Sequence, residues 1–526
     1  MKAQHLFQIL GLVDEDLIDE AWTYAPAAKK PPLTRRMPWL RGAAAAACCV
    51  LVCTFGFFYL VTGGFRGMGS AAPNTTGDTA ASESATTEAG EDGFLDNADT
   101  AAGFLSYAGP VLPLTTLETG TGLTAQRDVT FDFTPGTDTD GSTRQWGAMV
   151  TDHYTLTNPT DSDRTITALY PVTGSFADLA SMDPQVAVNG SPAEATLYAG
   201  GYAGTFGNQN DHNGSTYNLA VPGSWEDYAA LVSDGYYRTA ALGGGSDLST
   251  PVTVYDFSDV TLTGEAERPE LVVSCIFDPE KTTILSYDFS SSDWDESGTW
   301  RQYGQRITGD HRWGTPTLIV LGEDISYSLL GDYGPDAPAL TGAECAVTRR
   351  ETTLGAALEE LCRAELAQYT DQTQWPELSR LPLDLHVKAA AELLTEYGLL
   401  SDVPVDRYAD GRLDDLLREA LFMDRVLYLA VPVTVPAGGS TELSVTFWKE
   451  PGFDFGGSGT GREGLQGFEV LTTTGSALDF TGQTAALVNG SGVEIVEDDF
   501  GFAPEGGTVS LDLQQPHYAL TVQPVE

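Results

Sequence analysis

Basic side chains are scarce in this 526-residue chain: 27 Lys and Arg stand against 74 Asp and Glu, a formal charge of −47. Phosphate binding needs a basic face, so nucleic acid is excluded as a partner. Cysteine is scarce as well. Of the six, Cys48, Cys49 and Cys53 sit in an uncharged apolar run, leaving Cys275, Cys345 and Cys362. Three cysteines cannot build a disulfide framework, and a single bridge, Cys345 to Cys362, is the pairing considered. Cys275, alternating within LVVSCIF, reads as a small buried hydrophobe. The six histidines (5, 153, 212, 311, 386, 517) lack metal-ligand spacing, and His153 and His517 fall in strand patterns.

Catalytic signatures are missing too. The chain has no G-x-S-x-G elbow, no H-E-x-x-H pair and no P-loop. Gly459 to Gly464 fits G-x-G-x-x-G, but strand-like LQGFEVL follows where a dinucleotide site needs a helix N-terminus. That stretch reads as a glycine-rich loop. Asp138-Thr139-Asp140-Gly141 and Asp406 to Asp410-Gly411 each resemble half a calcium loop. In the second, Tyr408 and Leu417 stand where ligands belong, so solvated acidic turns are expected, with calcium as the alternative. No other cofactor is indicated, and the chain is expected not to be an enzyme.

What is present is apolar and unevenly charged. Hydrophobic residues make up 42% and aromatic residues 10%, enough to build a core and exclude wholesale disorder. Up to Arg66 there are seven basic residues and five acids, so the remainder carries a net −49. Between these parts, residues 42–65 (GAAAAACCVLVCTFGFFYLVTGGF) contain no charge. As a helix this run would reach roughly 36 Å, against a hydrocarbon layer of about 30 Å. Trp39 and Tyr59 lie near its ends. The 41 residues before it, and its length, favour an uncleaved signal anchor over a cleaved signal peptide. Five basic residues between Lys29 and Arg41 predict a plasma-membrane, single-pass protein with a cytoplasmic segment 1–41, a transmembrane helix 42–65 and an extracellular remainder. Residues 66–100, rich in Ser, Thr, Ala and acids, read as a flexible stalk.

Residues 5–24 have the apolar spacing of a short amphipathic helix or helix pair broken near Gly11. Within it, GLVDEDLIDEA resembles the N-terminal cytoplasmic segment of bacterial single-pass proteins, some of them anti-sigma-factor-like. Gly11, Asp14, Leu17, Ile18, Glu20 and Ala21 match, with Glu15 replacing a second Asp. The resemblance covers about 20 residues. It implies a cytoplasmic regulator as a partner of residues 1–41.

From residue 101 the pattern is mainly β, with a β-rich part at 101–350, a small α-helical insertion at 351–425 and a β-rich C-terminal part at 426–526. Alternating strands around Asn158-Pro159-Thr160-Asp161, Asn189-Gly190 and Asn489-Gly490 predict hairpins. The density of short strands, with 57 glycines and 28 prolines, predicts antiparallel sheets. YTLTNPTDSDRTITALYPV and VTVPAGGSTELSVTF resemble strands of secreted immunoglobulin-like sandwiches, which implies that sandwich type and no particular site. In the helical part, Leu354, Leu358, Leu361 and Cys362 share one face, and Val387, Ala390, Leu394 and Tyr397 another, ended by Gly398. Ser224 is the expected N-cap of a further short helix.

Residues 290–314 interleave Trp294, Trp300, Tyr303 and Trp313 with Arg301, Arg306 and Arg312. Aromatic platforms among polar groups suit sugar rings or peptides. The competing reading is a long hairpin whose rings pack on the sheets. Asp293 with Asp295-Glu296 would suit glycoside hydrolysis, which needs two carboxyls about 5 to 9 Å apart. The leading expectation is therefore a membrane-anchored, non-enzymatic envelope protein that interacts with the lipid bilayer. It would act as a sensor. A cell-surface glycan- or protein-binding module is the alternative, and a surface hydrolase the third.

Overall fold

The computed structural model describes residues 103–525 apart from 138–142, 202–204, 207–218, 221–222, 263–269, 296–297, 307–314, 332–342, 372–377, 379–380, 397, 401–411 and 491. The expected cytoplasmic segment, membrane helix and stalk (1–100) lie outside these residues. Among the described residues no helix is long and apolar enough to cross a membrane.

The described residues are mainly β, and among them the sheets are antiparallel with one exception. The ends of the described region build an outer double sheet. Its seven-stranded layer runs Gly506–Ser510, Asp479–Val488, Thr124–Asp132, Ala148–Thr157, Ser440–Lys449, Gln185–Val188, Ser191–Pro192. Thr124–Asp132 and Asp479–Val488 pair in parallel. Facing it are a four-stranded layer (Thr115–Thr116, Arg164–Gly174, Arg425–Val435, Thr196–Ala199) and a three-stranded one (Gln466–Leu471, His517–Pro524, Val493–Asp498). Phe131, Val150 and Tyr154 of the first meet Tyr170, Val172 and Val433 of the second and Phe468 and Leu520 of the third in one core.

Period-2 alternation sends Ile166, Ala168, Tyr170 and Val172 to that core. Leu169, Val426, Tyr428 and Ala430 point the other way, where Tyr228, Val232, Tyr237 and Ala241 cover them. The covering residues come from helices Trp225–Ser233 and Tyr236–Leu242. With both faces covered, Arg425–Val435 reads as an almost unbroken buried run. Ser224 caps the first of these helices as expected: it accepts from Asp227 N–H, while the Asp227 carboxylate reaches back to the Ser224 N–H.

Thr196–Ala199 and Arg425–Val435 are paired neighbours, with Ala199 opposite Leu427. Everything between them is therefore one insertion whose ends meet. Among its described residues are the helix pair, a second double sheet and three further helices. In the second double sheet the eight strands pair first to last. Pro251–Leu262 pairs with Ala343–Thr353, and Glu270–Ile276 with Ser326–Leu330. Thr282–Tyr287 pairs with Thr317–Gly322, and Ser291–Trp294 with Trp300–Arg306. This nesting is that of a two-stranded ribbon rolled into two sheets, the arrangement of double-sheet jelly rolls. Antiparallel sheets packed as a β-sandwich are the architecture expected for the β region, and in this inserted one long-range partners separate most sequential strands. Phe257, Ile284, Leu318 and Val320 of one sheet and Leu271, Val273, Cys275 and Tyr303 of the other fill its interior.

Long-range pairing also corrects two expected hairpins. Ala148–Thr157 and Arg164–Gly174 join different sheets, and so do Asp479–Val488 and Val493–Asp498, so both connections arch across the layers. Asn158 holds its arch: Nδ2 donates to Ser162 O at 2.8 Å and Val435 O at 3.1 Å, and Oδ1 accepts from Thr160 N–H at 3.0 Å. Asn189-Gly190 does make a hairpin, with Val188 opposite Ser191 and φ of 50° and 73° at the two turn residues.

The helices Leu354–Asp371, Leu383–Glu396 and Leu413–Phe422 pack on the outer face of one inserted sheet, through Val252, Leu285 and Ile319. Leu354, Leu358, Leu361 and Cys362 are buried along one face, as their spacing requires. Cys362 and Cys345 belong to different cores and form no bridge with each other, so that disulfide is absent. Cys275 is fully buried, which pushes its thiol up to about 12.

Candidate functional site

The aromatic stretch of the inserted double sheet does not form one platform. Trp300 lies opposite Ile276, and its Nε1 donates to Ser274 Oγ at 3.1 Å on the outward face. Tyr303, three residues on, points inward and is fully buried among Phe257, Phe289 and Val273. It offers no ring face to a ligand. Trp294 pairs with Arg301 and lies 46% exposed on Tyr303's side of the sheet, at the strand end. Trp313 lies outside the described residues. What remains outward is a smaller patch: half-buried Trp300, Ile276 at 64% exposure, and exposed Asp293 on the adjoining strand. Asp295 serves its own turn, accepting from Trp300 N–H at 3.1 Å and Thr299 Oγ1 at 3.2 Å. Glu296 lies outside the described residues.

The glycine-rich loop is closed by the chain itself. Glu463 Oε1 accepts from Gly459 N–H at 2.7 Å and Ser458 Oγ at 3.1 Å, so a carboxylate already occupies the cradle in which a phosphate would sit. The backbone N–H of Glu463 itself and that of Gly459, with the Ser458 hydroxyl, hold the Glu463 carboxyl below its usual range. His153 and His517 are strand residues, as expected. His517 stacks on Trp225 at 4.7 Å between centroids, and its Nε2 is 3.3 Å from Glu469 Oε1, which ties a covering helix to the three-stranded layer. Among the described residues no group of three or more His, Cys, Asp or Glu is placed to hold a metal ion. Both half calcium loops lie outside the described residues.

A titratable cluster that sequence reasoning missed sits where the helices meet the inserted sheet. Glu365, on Leu354–Asp371, is 6% exposed, and its Oε2 accepts from the Tyr287 hydroxyl at 3.1 Å. Gln368 Nε2 donates to the same hydroxyl at 3.2 Å. Next along the strand, Asp288 N–H donates to Asp414 Oδ1 at 2.6 Å, in the first turn of Leu413–Phe422. A backbone bridge joins Ser286 to Arg412 beside them. Burial pushes the Glu365 carboxyl up to about 7, and the nearby Asp414 charge adds to this against Tyr287, Tyr369 and Arg418. Burial raises Asp414 as well.

Two cations, half-buried Lys388 and fully buried Arg425, close the root of the insertion. Lys388 Nζ donates to the carbonyls of Ala199, Ala240 and Ala241 at 3.3, 3.2 and 2.7 Å. Arg425 donates to Gly200 O at 3.4 Å and Ala420 O at 2.9 Å, its guanidinium 4.6 Å over the Phe176 ring. An open cleft of about 320 Å³ lies alongside, lined by Gly244, Gly245, Leu248, Asp384 and Val387. Glu359 and Lys388 also line it, the lysine ammonium already donating to the three carbonyls. In comparison with known proteins, the chain matches no family model and no curated protein.

Proposed function

We propose that this chain is a single-pass membrane-anchored protein whose acidic, sandwich-type β region works outside the cytoplasm as a non-enzymatic sensor, with residues 1–41 meeting a cytoplasmic regulator. The observation that carries this reading is the charge partition across the uncharged run 42–65, with five basic residues just before it and a net −49 beyond Arg66. The resemblance of GLVDEDLIDEA to anti-sigma-factor-like segments supports the regulator. Ser84→Cys and Ala27→Cys, each in a Cys345→Ser background and treated on intact cells with a membrane-impermeant maleimide, test the placement. Modification at 84 and protection at 27 is the expected result. Recovery of the intact chain from the cytosolic fraction, without detergent, overturns the reading.

A second reading, a glycan- or protein-binding surface, is favoured by one feature. Trp300 and Ile276 are cross-strand partners on the outward face, with Asp293 alongside. Glycan-array binding by the wild type, lost in Trp300→Ala, supports a glycan ligand. A blank wild-type array removes the glycan form.

A further inference from the structure

We propose that the junction between the inserted double sheet and the three helices is a proton-operated latch, closed when the Glu365 carboxyl is protonated and loosened when it and Asp414 are both charged. The geometry concentrates the junction on one strand end. Ser286, Tyr287 and Asp288 are consecutive, and each is held by a different residue of the helical part: Arg412 just before a helix, and Glu365 and Asp414 within helices. Ser286 bridges to Arg412, the Tyr287 hydroxyl donates to Glu365, and Asp288 N–H donates to Asp414. Two of these three ties end on carboxylates that share one buried space.

Every charged neighbour bears on the outcome. From the strand come Tyr287 and Asp288. Tyr369 and Cys362 lie on Glu365's own helix, and Asp414, Asp415 and Arg418 on the facing one, preceded by Arg412. The two cations are drawn to Asp415: Arg418 pairs with its Oδ1, and Arg412 Nε lies 3.7 Å from its Oδ2. A protonated Glu365 keeps its carbonyl oxygen as acceptor for Tyr287 while removing one of the two negative charges. An ionised one must remain charged beside Asp414 in a low-dielectric contact.

The sign follows from linkage. A carboxyl whose value in the closed contact is about 7, against 4.5 when released, binds more protons closed than open. Over that interval the opening constant rises about tenfold per pH unit, and below it the latch is fully closed.

Hydrogen exchange on the full-length chain in detergent, corrected for intrinsic rates, is the test. Protection of 282–287 and 413–422 is expected to fall at least about tenfold between pH 5 and 7. That of Ala148–Thr157 should stay level. Glu365→Gln, which keeps the acceptor and cannot ionise, should hold the protection high at pH 7. Asp414→Asn should flatten the change in part. Protection in wild type that does not change between pH 5 and 7 at this junction overturns the proposal, whatever the variants do. A Glu365→Gln chain that folds yet keeps the wild-type pH dependence does the same.

Discussion

Arg127 and Asp152 form an ion pair at 2.8 Å in which both side chains are fully buried between the layers of the outer double sheet. Asp152 Oδ2 also accepts the hydroxyls of Tyr154 at 2.8 Å and Tyr170 at 3.1 Å, and Arg127 Nη1 donates to Leu471 O at 2.6 Å. Strands from three layers thus converge on one charge pair. Removing one partner strands the other in the core, so Asp152→Ala is expected to cost about 3–5 kcal/mol. Arg127→Met with Asp152→Val should cost much less than the two single changes added together. Denaturant midpoints of the four proteins measure this. A single-variant cost under about 1 kcal/mol would mean that water reaches the pair.

His386 gives a second pH dependence, opposite in sign to that of Glu365. It is fully buried on Leu383–Glu396, its Nε2 lies 3.1 Å from Leu417 O, and burial pushes it down to about 4 from an ordinary 6.5. The unfolded chain therefore binds more protons than the folded one between those values. Stability supplied by the neutral ring is full above 6.5 and is lost as pH falls toward 4, at about 1.4 kcal/mol per unit. His386→Gln should lose that slope. Thermal unfolding of both proteins from pH 4 to 7 checks it, and parallel curves would refute it.

Gly322 is required by the inserted sheet. Its φ is +91°, and a Cβ there would stand 1.9 Å from Lys281 O, across from its partner Thr282. Gly322→Ala should therefore destabilise by more than about 2 kcal/mol, combining left-handed strain with a displaced strand. Gly438 has φ +63° and open space around it, so Gly438→Ala should cost only about 1–2 kcal/mol. The difference between the two unfolding midpoints is the observable.

Much of this architecture is legible locally, and some of it is not. Trp300 and Tyr303 are an odd number of residues apart on one strand, so parity alone sends them to opposite faces. The helical face of Leu354, Leu358 and Leu361 follows from spacing in the same way. The turns at Asn158 and Asn489 have the local chemistry of hairpins, yet only Asn189-Gly190 makes one. Whether the next strand returns beside the last is decided by distant partners: Ala148–Thr157 is flanked by Thr124–Asp132 and by Ser440–Lys449. The carboxylate cluster was hidden for the same reason. Tyr287, Glu365 and Asp414 come from three separate elements, and no short-range period links them.

Lys388 tests whether the root of the insertion is held by charge or by packing. Its ammonium is the shared donor to three carbonyls: Ala199, where the chain leaves the outer double sheet, and Ala240 and Ala241, in the last turn of the covering helix. Desolvation lowers its basicity, with Glu392 opposing. Lys388→Met keeps the apolar stem and removes the donor, leaving carbonyls at a helix end without their cation. The expected cost is about 1–3 kcal/mol, concentrated locally. Exchange should quicken in 236–242 and at 199–201, while Thr124–Asp132 keeps its protection. Unchanged exchange at both segments would mean that packing by Tyr237, whose hydroxyl donates to Gly201 O at 2.6 Å and accepts from Val426 N–H at 3.1 Å, holds the root without the cation.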